Sequence, residues 1–254
     1  MKENMLYIKK YSGFIISIVI GLLLYEEANY AYTYRTATAY SDHMIYRLIL
    51  SMGSGSSGWN GILFPILAAL PMGISYVREY RSGYLKLRLQ KMSRKRYVAV
   101  TLIQNAILGG LGLLIPYAVY CLHLYFQYGT KAYLNIKEGE TVIMFYPKLA
   151  ASNTIAYVCL LGAFVLLAGV TFATFAIGIS AWIKNTFLTL ILPFVLCIAM
   201  AILIPDNRFD LLLIFAPNGY AWASVPIILI MSGILILTGI ILFAVGVKKE
   251  YAKL

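Results

Sequence analysis

Six runs of apolar residues, at 11–25, 59–76, 97–120, 154–179, 186–204 and 225–247, carry no Asp, Glu, Lys, Arg or His in their middles. A helix needs about 20 mostly apolar residues to cross a hydrocarbon core of about 30 Å, and only helices or closed barrels satisfy their backbone polar groups there. Runs of this length select helices. The expected fold is an all-α polytopic membrane protein, one domain over 1–254 with six transmembrane helices. Composition agrees, since 61% of residues are apolar, 12% are charged and the mean hydropathy is +0.79. A soluble globular domain, with about 45–50% apolar and about 25% charged residues, is excluded.

The first run is short. Its 14 residues from Ser12 to Tyr25 rise only about 21 Å at 1.5 Å per residue, so the helix must extend or tilt. Lys2, Lys9 and Lys10 before it and Ala37-Thr38-Ala39 after it also suggest a cleaved signal peptide. That cleavage form lies too far beyond Leu24, and an uncleaved span is expected.

Charge placement orients the spans. With both termini cytoplasmic, fifteen of the 21 Lys and Arg fall on inner segments and six on outer ones, as the positive-inside rule requires. The net charge of +11 would suggest nucleic acid in a soluble chain; here it points to membrane lipid and to no nucleic acid. Trp59, Trp182 and Trp222 fall at span ends, where indoles sit among headgroups. The outer connections, about 26–58 and 123–153, are long. The apolar segment 209–219, with Pro217 and Gly219, is too short to span and reads as an interfacial or re-entrant element on the outer side before the last helix. The run from Gly53 to Gly58 has neither a lysine nor a preceding strand, so it is a flexible linker rather than a phosphate loop.

Several chemistries are missing. No G-x-x-x-x-G-K-[ST] motif occurs, so no nucleotide site, catalytic residue or cofactor is expected in this chain. The absence of ionisable groups within the runs argues against a proton-coupled pump. His43 and His123 lie at the outer surface with no paired Ser, and Cys121, Cys159 and Cys197 match no metal spacing and read as small buried hydrophobes. Gln104, Asn105, Thr171 and Thr174 are candidates for a substrate path, although hydrogen bonds between helices are the commoner use of such groups. Ser232 and Thr238 are of the same kind, Gly169 and Ala173 form a small-xxx-small pair, and Pro116 and Pro193 predict kinks.

The stretch 77–96 holds eight of the 21 basic residues and one acid, Glu79. Attraction to anionic lipid, about 1 kcal/mol per cation, accounts for the charge but not for the residue order. Leu85, Leu89 and Met92 share a helical face while Leu87 points elsewhere, and Leu85-Leu87-Leu89 also alternates like a strand.

Glu79-x-x-x-Gly83, followed by leucines and by Met92-Ser93-Arg94-Lys95-Arg96-Tyr97 leading into a span, resembles the cytoplasmic loop of type-2 ATP-binding-cassette (ABC) permeases. The likeness extends to the six-span layout, the tight second inner turn and Ala216-Pro217-Asn218-Gly219-Tyr220 before the last span. Met92 departs from it, since many members carry proline there. The resemblance implies a half-transporter in a bacterial plasma membrane. It would work with a second permease chain, identical or related, and two copies of a cytoplasmic ATPase that carry the ATP and Mg. The ATPase contact would map onto Glu79, Arg81, Ser82, Gly83, Tyr84, Leu85, Lys86, Leu87, Leu89, Met92, Ser93 and Arg94. Trp182 and Lys184 in the tight turn are a second candidate contact, with interface anchoring as the alternative.

An uncharged pathway favours amphipathic or hydrophobic cargo. Six of the 21 tyrosines lie between Tyr25 and Tyr46 on the outer side. Export of an amphipathic peptide, toxin or drug-like compound is expected, ahead of a lipid-linked polymer. A non-transporting immunity or sensor protein is the rival from another class. An ion-driven carrier would predict internal repeats, and none is visible.

Overall fold

A computed structural model of the chain describes residues 2–35, 43–53, 59–130, 145–203, 210–217 and 223–252. The helices are α1 (Lys2–Arg35), α2 (Met44–Met52), α3 (Asn60–Ala69), α4 (Ser75–Arg81), α5 (Tyr84–Lys91), α6 (Arg94–Tyr128), α7 (Pro147–Ser152), α8 (Thr154–Ser180), α9 (Thr186–Leu203) and α10 (Val225–Tyr251). A 3-10 turn at Leu211–Ile214 precedes α10. No strand occurs among the described residues. Five helices are long and apolar enough to cross a membrane: the Ser12–Tyr30 part of α1, α6, α8, α9 and α10. This is the make-up of a multi-pass membrane protein.

The first helix answers the length problem by extending well past 11–25 in both directions. The second run departs from expectation. It is interrupted between Ala69 and Ser75, which leaves α3 with ten residues. Pro71 is the cause: it has no N–H to give to the carbonyl of Leu67, four residues back. The Ser17 hydroxyl of α1 takes that carbonyl instead, at 2.8 Å. Pro116 in α6 leaves the carbonyl of Gly112 without a helical partner in the same way, and the Ser17 oxygen lies 3.5 Å from it. One hydroxyl therefore sits between two proline breaks. Gly13 and Gly21, four residues to either side on α1, give it this position, because a side chain at Gly13 would strike the Leu70 carbonyl and one at Gly21 the Pro116 ring.

At the centre stands α8. A Cβ on Gly169 would lie 2.5 Å from the Gly109 carbonyl of α6, and one on Gly178 would lie 2.5 Å from the Gly239 carbonyl of α10. Backbone thus meets backbone on both flanks, as small residues permit between apolar helices. Toward one end the packing becomes aromatic. Tyr25 stacks on Tyr120 at 4.9 Å, and Phe64 stacks on Phe215 at 4.7 Å and meets Phe172 edge-on at 4.9 Å.

One expectation needs correction at that end and two are made more definite. Of the interfacial and re-entrant readings of 209–219, the packing favours the second, with Leu211, Leu213, Ile214, Phe215 and Ala216 all buried among the helices. The long connections hold helices of their own: α7 leads into α8, and α2 is buried along almost its whole length. Arg47 of α2 donates to Asn29 Oδ1 at 2.8 Å and lies over the Tyr128 ring. Cys159 is exposed rather than buried, while Cys121 is buried. The linker residues 54–58, Trp222 and the stretch Asn218-Gly219-Tyr220 lie outside the described residues.

Candidate functional site

The loop 77–96 folds as a helical elbow. Gly83 has φ +73°, a left-handed conformation that ends α4 and lets α5 start in a new direction; no atom crowds the space where its side chain would be, so the backbone alone asks for glycine. Ser93 then caps α6, its hydroxyl accepting from the Arg96 N–H at 3.4 Å. The two readings of the leucines are thereby decided for a helix. Leu85 and Leu89, each 3% exposed, pack with Tyr76, Tyr97, Ile177, Ala181, Phe243 and Val247, with Met92 against them. Leu87 and Tyr84, 54% and 53% exposed, stand on the other side.

Glu79 turns into the elbow. Its carboxylate pairs with Arg88 of α5 and accepts from the Tyr97 hydroxyl of α6 at 2.9 Å, while the Arg88 guanidinium lies 5.0 Å from the centre of the Tyr97 ring. One acid therefore joins α4, α5 and α6, and a charge-assisted bond of this kind is stronger than a neutral one. Glu79, Leu85 and Leu89 are consequently occupied within the chain. Arg81, Ser82, Gly83, Tyr84, Lys86, Leu87 and Lys91 face outward.

The tight turn after α8 belongs to the same assembly. The Arg81 guanidinium donates to the Lys184 carbonyl at 2.9 Å. The Lys184 ammonium pairs with Glu250 of α10 and sits 3.5 Å from the centre of the Tyr80 ring. Desolvation pushes the Lys184 pKa down, but its hydrogen bonds to Glu250 and Tyr80 outweigh this and hold it above the usual lysine value. Trp182 donates its indole N–H to the Leu242 carbonyl at 2.9 Å, with Lys249 over its ring. Trp182 and Lys184 thus tie α8 to α10. The sequence reading missed Arg88, Tyr80 and Glu250 because each finds its partner across helices rather than at a local spacing.

The candidates for a substrate path separate. Gln104 is exposed on the outside of the bundle. Thr171 and Thr174 spend their hydroxyls on the Leu167 and Val170 carbonyls of their own helix, both at 2.7 Å. Asn105 differs: it is fully buried, and neither amide atom has a partner among the described residues. Thr101, one turn away on the same face, and Ser232 of α10 also carry unmatched buried hydroxyls.

At the aromatic end an apolar groove of about 710 Å³ runs between α6 and α8, lined by Tyr117, Cys121, Leu122, Ile155, Cys159 and Leu166 among others. It is open to the side of the bundle. No protein-family model, curated protein or solved structure matches the chain.

Proposed function

We propose that this chain is the membrane-spanning subunit of a type-2 ABC exporter, driven by ATP that a separate cytoplasmic subunit hydrolyses. The observation that carries the reading is the elbow: α5 is gripped on one side by Glu79, Tyr97 and the apolar end of the bundle, and offers Tyr84, Leu87, Lys86 and Lys91 on the other. A push on the outward face would reach α4 and α6 through Glu79, and α8 and α10 through Arg81, Lys184 and Glu250. Such an element suits rigid-body motion of spans.

In this reading α3 and α4 together form the second of six crossings, bent at Pro71, and both termini lie in the cytoplasm with the basic loop. The partners are two ATPase subunits, which bring ATP and Mg, and a second permease chain. The side-opening groove favours an amphipathic peptide, toxin or drug-like molecule entering from lipid. The same groove supports a second reading, an immunity or sensor protein that holds a membrane-active peptide without moving it.

The test is co-purification from native membrane, then reconstitution with whatever ATPase accompanies the chain. Leu87→Asp or Tyr84→Asp should abolish stimulated ATP hydrolysis and leave insertion intact. Uphill accumulation of cargo by this polypeptide alone would overturn the proposal, and peptide binding with no ATPase partner would favour the sensor.

A further inference from the structure

At the basic end, a second groove of about 450 Å³ lies between α6 and α10, lined by Arg94, Lys95, Val98, Ala99 and Leu102 from one helix and Ala244, Val245 and Lys248 from the other. The spacing is helical on both sides, since positions 94, 95, 98, 99 and 102 form one stripe and 244, 245 and 248 another. The helices run in opposite directions. Arg94 and Lys95 therefore share a level with Lys248, while Val98 and Ala99 lie beside Ala244 and Val245 one turn further in. The result is a cleft about 12 Å long from Arg94 to Leu102, with cations only at its mouth and apolar walls over the inner half, from Val98 to Leu102. Ala99 and Ala244 keep it open, because their side chains are too small to fill it.

Charge makes the cleft selective. Neither salt bridge among the described residues involves Arg94, Lys95 or Lys248, and no acid lines the groove. The first turn of α6 carries Arg94, Lys95 and Arg96 with no acidic residue, at the helix end whose dipole already repels cations. An anion at the mouth relieves both. A free phosphate would satisfy the cations but leave the apolar walls unused.

We infer that this cleft seats one anionic phospholipid, its phosphate among Arg94, Lys95 and Lys248 and an acyl chain between α6 and α10. The inference uses the orientation proposed above only to say which leaflet supplies the lipid. Native mass spectrometry of the full chain, released from micelles containing equal phosphatidylglycerol and phosphatidylcholine of matched chain length, tests it without an ATPase. The wild type should retain phosphatidylglycerol in preference by about tenfold, a modest share of what three nearby cations can give. Lys95→Gln with Lys248→Gln should bring the ratio close to parity, and Ala99→Leu with Ala244→Leu should reduce retention of the lipid while the protein remains monodisperse. Lys86→Gln with Lys91→Gln removes equal charge from α5 and should leave the ratio of the two retained lipids unchanged. Equal loss in that control would mean diffuse attraction and overturn the site. Displacement of the lipid by millimolar inorganic phosphate would make it a phosphate site instead, and a wild type without preference between the two lipids would end the proposal.

Discussion

The middle of the bundle and its basic end are joined by opposite means. In the middle, Gly169 brings α8 against α6, and Gly178, further toward the basic end, brings it against α10, so closely that backbone touches backbone, with no side chain available to rearrange. At the basic end, the elbow of α4 and α5 is held by one carboxylate, a tyrosine hydroxyl, two cation-on-ring contacts and a small apolar cluster. Side-chain contacts of the second kind can be exchanged one by one, whereas close-packed interiors behave as bistable blocks rather than as continuously deformable material. The contrast assigns stiffness to the α6–α8–α10 core and mobility to the elbow.

The strongest way to break this contrast is to separate the core helices. A Cβ on Gly239 would lie 2.5 Å from the Thr174 carbonyl, so Gly239→Leu forces α10 away from α8. We expect a loss of about 3 kcal/mol or more and little monodisperse protein on size exclusion, since overpacking against backbone has no cheap relaxation. A stable, well-behaved Gly239→Leu protein would mean that the core is looser than its packing implies.

At the elbow the expected effect is smaller and local. Glu79→Leu leaves Arg88 and the Tyr97 hydroxyl without their acceptor, a cost of about 2 kcal/mol. Hydrogen exchange should rise across 84–91 and stay unchanged in α8. Exchange that rises equally in both regions would show that elbow and core are one unit. Smaller again is Ser17→Ala, which strips the donor from the Leu67 carbonyl that Pro71 leaves open. A thermal melt should record a loss of about 1 kcal/mol, the usual size of a hydrogen bond between apolar helices. No change would mean that Ser17 fills space beside Gly112 without bonding.

These sites differ in how far the sequence reveals them. The run 154–179 matches α8 almost residue for residue, because a long uninterrupted apolar stretch leaves the chain no alternative. The second run was legible as apolar but not as broken, since whether Pro71 bends or ends a helix depends on what receives the orphaned carbonyl. That receiver, Ser17, is 50 residues away. α2 was hidden in what read as a loop, although Met44–Met52 carries the same sign as 209–219, an apolar run too short to span. The loop 77–96 was visible as a site by composition and order, yet the face of α5 could not be chosen. Leu85 and Leu87 look alike in sequence, and only the positions of Phe243 and Val247 decide which one is buried. Glu79 stands out in the sequence as the lone acid of that stretch, and its inward orientation depends on Arg88 and Tyr97 arriving from other helices.

Asn105 gives the finest test, because both atoms of its buried amide lack a partner among the described residues. It lies one turn from Gly109, where α6 closes on Ala173 and on the Ala68 carbonyl, and its amide has no partner there. Leaving such a group unmatched is costly, and an apolar residue of similar size removes the cost. Asn105→Leu should therefore raise the thermal stability, by about 0.5–1 kcal/mol after imperfect repacking. If the spans alternate between two arrangements, the amide is expected to be satisfied in the other one, by cargo or by water. The same substitution would then favour the arrangement described here and, under the proposed function, slow export as it strengthens the fold. A variant that melts lower than wild type would show that Asn105 is already satisfied in this arrangement and is not waiting for a second state.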